Sequence, residues 1–66
     1  MADIEVINHG TVFGVHPQTD EGRAWLEKNL SGEVTQIGGS VFVEHRYTRE
    51  LVAGMRGDGL AVIGAI

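Results

Sequence analysis

The sequence predicts a single small α+β domain, a short antiparallel sheet with two helices in the order ββαββα(β). Three observations predict it. Two stretches of β-branched residues are each broken by turn residues, Asn8-His9-Gly10 and Gly38-Gly39. Each such pair is followed by an apolar stripe at helical spacing. Its 66 residues suit one domain and bury only about 60% of the unfolded surface, so extra burial from a second copy or a partner is expected.

Residues 3–8 mix Ile and Val with charged residues and read as a first strand. Asn8 and Gly10 tolerate a turn, and residues 11–15 return as a second strand that Pro17 stops. Thr19 is expected to cap a helix running to Leu30, with Asp20 and Glu21 at its positive end and Lys28 near its negative end. Gly22, Trp25, Leu26 and Leu30 form its apolar stripe, with Trp25 as a core anchor. Ser31-Gly32 ends it. Residues 33–37 and 40–44 read as a second hairpin around Gly38-Gly39. Thr48 is expected to cap a second helix carrying Leu51, Val52 and Met55, with Tyr47 as a staple at its start and Gly57-Asp58-Gly59 at its end. Residues 60–63 read as a last short strand.

The halves also align without gaps at an offset of 29 residues. Residues 10–26 against 39–55 share seven identities, where average composition gives roughly one. An internal ββα duplication would explain this and would place Phe13 with Phe42, and His16 with His45, at equivalent points. Convergent turn and cap residues are the competing explanation.

Composition narrows the function. There is no Cys, which excludes disulfides and Cys₂His₂ zinc sites and suits a reducing compartment. The net charge of −4 is spread over nine acids, and no basic stripe points to nucleic acid. The first residues lack the basic start and apolar core of a signal peptide, and the apolar run 60–66 is far short of the roughly 20 residues of a membrane span. A cytosolic protein is expected.

No chemical motif emerges. His16, His45 and Glu44 could supply metal ligands from strand ends, but they lack ligand spacing, so no metal or cofactor is expected. Glu44 and Glu50 could approach as a carboxylate pair, yet so small a chain has little room for a cleft. Residues 54–59 are glycine-rich but follow a helix, so they read as a helix stop and not a phosphate loop. Arg56 follows later in the chain, and before the second helix Arg46, Tyr47 and Arg49 cluster as residue types favoured in protein interfaces. With Glu44, His45 and Glu50 they make the candidate partner-binding segment.

Asn8-His9-Gly10, residues 17–26, Gly38-Gly39 leading to Val43-Glu-His-Arg-Tyr47, residues 51–55 and Asp58-Gly-Leu60 together resemble a group of very short proteins encoded by phages, prophages and plasmids of proteobacteria. The resemblance covers most of residues 4–62, and residues 63–66 extend past the usual end of that pattern. It carries no catalytic residue. It implies a non-enzymatic accessory factor that binds a host protein or complex in the bacterial cytoplasm. An anti-CRISPR protein that blocks a CRISPR effector is the best-known form of such a factor. The alternative is a structural or assembly protein of the element, self-associating as a homodimer or larger assembly through its C-terminal strand.

Overall fold

The computed structural model describes residues 2–30 and 35–64. It has the expected order: β1 (Ile4–Asn8), β2 (Phe13–Pro17), α1 (Asp20–Asn29), β3 (Thr35–Ile37), β4 (Ser40–Val43), α2 (His45–Gly57) and β5 (Val62–Gly64). The strands form one sheet in the order β3-β4-β2-β1-β5. The first four are antiparallel neighbours, while β5 joins β1 in parallel, so the sheet is mixed and not purely antiparallel. β4 runs parallel to β1, and α2 is the crossover that carries the chain from β4 over the sheet to β5, so β5 enters beside β1 in parallel.

Side chains alternate across each strand, and the registers sort them into two faces. Ile4, Val6, Phe13, Val15, Val41, Val43 and Val62 point to one side and are buried with Leu26, Leu51, Val52 and Met55 of the helices. Both helices therefore cover the same face. The other face carries Glu5, Ile7, Gly14, His16, Ser40, Phe42, Ile37 and Ile63 and has no layer over it among the described residues.

Local chemistry explains the joints. The Asn8 side-chain oxygen accepts the Gly10 N–H at 2.8 Å, which closes the first turn. Gly38 and Gly39 both have positive φ, as the tight second turn demands. Thr19 caps α1 by accepting the Gly22 N–H, and its own hydroxyl donates to Asp3 Oδ1 at 2.7 Å. Asp3 also accepts the Ala61 N–H through Oδ2 at 2.9 Å, so one carboxylate ties the start of α1 and the approach to β5 to the start of β1. These bonds favour the charged form and hold the Asp3 carboxyl below its ordinary pKa, the Ala61 bond contributing most. α2 ends in a paired arrangement in which Gly59 donates to the Arg56 carbonyl and Leu60 to the Met55 carbonyl. The expected stop of α1 at Ser31-Gly32, the first residues of the strand at 33–37, and residues 65–66 lie outside the described residues.

Three expectations are corrected. Thr48 does not cap α2. The helix starts at His45 with Glu44 at the capping position, and Thr48 lies one turn inside, buried, donating its hydroxyl to the Glu44 carbonyl at 2.9 Å. Burial decides this, because Thr48 extends the inward stripe of Leu51, Val52 and Met55 by one turn. Tyr47 thus lies within the first turn of α2, half-buried against the core, and not ahead of the helix as a staple.

The 29-residue equivalence also fails as a structural one. Phe13 points into the core, whereas Phe42 points to the bare face, because Phe13 pairs with Val43 and Gly14 with Phe42. A slip of one position reverses every side chain on a strand. The ββα order repeats, but the first hairpin has a four-residue connection and the second a two-residue one, so the frames do not match.

Candidate functional site

α2 presents three different surfaces, set by about 100° of rotation per residue. Thr48, Leu51, Val52 and Met55 face the core. Gly54 faces α1, where a Cβ would come within 3.2 Å of the Trp25 ring. The Trp25 indole N–H donates to Asp58 Oδ2 at 2.7 Å, locking the end of α2 against α1. Away from α1, His45, Arg49, Val52 and Arg56 follow one another at helical spacing and edge a groove of about 430 Å³. Phe13, Thr48 and Ala53 complete its lining.

The groove joins an apolar floor to a basic rim. Phe13 and Val52 are buried core residues whose outer surfaces reach it. The His45 ring lies 4.9 Å from the Phe13 ring, inclined by 50°. Arg56 reaches the Val62 carbonyl with one guanidinium nitrogen at 3.5 Å, which leaves most of its donors uncommitted. The only ion pair among the described residues is Arg23–Asp20 on α1, 3.3 Å apart and exposed. Arg49 and Arg56 therefore have no carboxylate partner among those residues. α2 carries three of the chain's five Lys and Arg residues against one acid, Glu50, although the whole chain is negative.

Of the residues singled out in the sequence, His45 and Arg49 line this groove. Glu44 and Arg46 join His45 and Thr11 around a shallower depression beside it. Glu50 and Tyr47 lie on other sides of α2 and do not enter the groove. Tyr47 packs against the core, which removes it as an exposed anchor. Arg56, Phe13, Val52, Thr48 and Ala53 complete the site; of these, Arg56 was noted only as a later arginine outside the candidate segment, and the others were not read as site residues. The spacing His45, Arg49, Val52, Arg56 was a readable signal for Arg56 once the helix start was placed at His45; the contribution of Phe13 required the sheet register.

The metal candidates do not converge. His45 lies beside Phe13 over the helix-covered face, whereas His16 lies on the bare one with His9 and Phe42. Among the described residues no group of three His, Cys, Asp or Glu side chains could hold a metal ion. Among the same residues no helix is long and apolar enough to cross a membrane.

Comparison with family models, curated proteins and solved structures finds no match to this chain.

Proposed function

We propose that this chain is a non-enzymatic binding protein whose α2 groove receives an acidic segment of a partner protein. The observation that carries this reading is the union, in one groove, of Arg49, Arg56 and His45 with the apolar floor of Phe13 and Val52. A guanidinium offers a planar pair of donors that match a carboxylate, and an apolar floor adds affinity for a neighbouring side chain. The acidic remainder of the chain would turn such a segment toward the basic side of α2. Phosphate tracking along nucleic acid fits less well, since it draws on many basic contacts and the groove offers two arginines.

The resemblance to short proteins of mobile elements makes a host protein complex in the bacterial cytoplasm the partner class to test first, a CRISPR effector among them. The experiment is capture of partners from a proteobacterial lysate with three tagged forms: the unaltered chain, Arg49→Glu/Arg56→Glu, and Arg23→Glu as a control on α1. The expected result is a partner held by the unaltered chain and by Arg23→Glu, and lost from the double variant. The same partner held equally by all three would refute the groove as its site. Measuring CRISPR interference with the gene expressed then tests the effector reading; unchanged interference removes it.

A further inference from the structure

The face of the sheet opposite the helices is unlike the usual water-facing side of an antiparallel sheet, which is polar. Ile7, Ile37 and Ile63 are the exposed large hydrophobic residues among those described, at 39%, 64% and 53% exposure, and the registers place all three on this face. Between them lies a cluster of rings. His9 and His16 are 6.1 Å apart, and Phe42 lies 5.7 Å from His9 and 6.0 Å from His16. Gly14 makes room for them, since a Cβ there would come within 2.5 Å of His16 Nε2 and 2.8 Å of His9 Nε2. His16 Nδ1 is bonded to Ser40 Oγ at 2.7 Å, while its Nε2 is buried without a hydrogen-bond partner.

We propose that a second copy of this chain covers this face, the two sheets stacking about a twofold axis. The partner is identified by two features. Among the described residues the strand positions of the face carry one ionisable acid, Glu5, and no Lys or Arg, which is the charge-poor composition of homodimer interfaces. Glu5 stands directly across from His16 in the β1–β2 register, so the face carries an acid and an imidazole side by side and is self-complementary in kind, as an isologous interface requires. A disulfide-free chain of 66 residues gains the extra burial it otherwise lacks. The inference is independent of the α2 groove, which lies on the other side of the sheet.

Sedimentation velocity from micromolar to about 1 mM protein tests it. The expected result is a concentration-dependent shift to twice the chain mass, abolished in Ile7→Lys. Ile7 lies on β1, an interior strand, so edge-to-edge pairing through β3 or β5 would not feel the change. Should Ile7→Lys lose its circular dichroism signal, Ile7→Thr keeps the branched side chain and is expected to weaken the dimer at least tenfold. A chain that stays monomeric throughout, or a dimer that Ile7 variants leave intact, overturns the proposal.

Discussion

Phe13 and Phe42 lie one register position apart on the paired strands β2 and β4, yet they face opposite sides of the sheet. Phe13 is buried beneath the helices, while Phe42 is half-covered by His9 and His16. Replacing each by Ala is therefore expected to have unequal effects. Phe13→Ala should cost about 3–5 kcal/mol, enough to unfold most of so small a domain. Phe42→Ala should cost less than half as much. Urea denaturation followed by circular dichroism measures both; equal losses would contradict the assignment of faces.

Gly22→Ala tests a contact that reverses the ordinary rule. In an isolated helix interior, Gly to Ala stabilises by about 1 kcal/mol. Here Gly22 packs α1 against the start of β1, and a Cβ would collide with the Asp3 carbonyl oxygen and press on Ile4. Backbone cannot step aside as a flexible side chain can, so overpacking of about 1–3 kcal/mol is expected to prevail. Denaturant midpoints should show Gly22→Ala to be less stable than the unaltered chain.

Asp3 sets a dependence on acidity. Its folded-state pKa is lowered by the Ala61 N–H and the Thr19 hydroxyl, both of which bond the charged carboxylate. The unfolded chain takes up this proton first as the pH falls. The contribution of Asp3 is therefore complete above the ordinary carboxylate pKa of about 3.9 and is lost as the pH drops through the lower folded value. Urea midpoints should fall in the unaltered chain as the pH is taken from about 4 downward. Asp3→Asn, which cannot accept the Ala61 N–H through its amide nitrogen, should start lower and fall less over that range.

Local rules made much of this fold legible in the sequence. Thr19 as a cap, Gly38-Gly39 as a tight turn and Gly57-Asp58-Gly59 as a helix stop each depend on neighbours within a few residues, and each occurs as expected. What escaped depends on distant partners. Thr48 has the chemistry of a cap, but its burial at the contact of α2 with the sheet makes it an interior residue. The match of Phe13 with Phe42 reads as equivalence along the chain and fails because sheet register decides which way a side chain points. β5 was visible as an apolar strand, but its parallel place beside β1 was not.

The site was legible in the same proportion. His45 and Arg49 belong to a segment whose residue types suit an interface, and the structure puts both on the groove. Arg56 is eleven residues beyond His45 and joins it only once α2 is known to be continuous from His45 to Gly57. The bare sheet face was harder still. Ile7, Ile37 and Ile63 are far apart in the chain and belong to three different strands.

Site-specific photocrosslinking in living bacteria tests the binding account most directly. A photoactivatable side chain at Ala53, on the groove wall, is compared with one at Lys28, exposed on α1. The account predicts an adduct at Ala53 with an acidic segment of another protein, lost when Arg49→Glu/Arg56→Glu is added, and none at Lys28. An adduct at Lys28 without one at Ala53, or one at Ala53 that survives the double substitution, would contradict it.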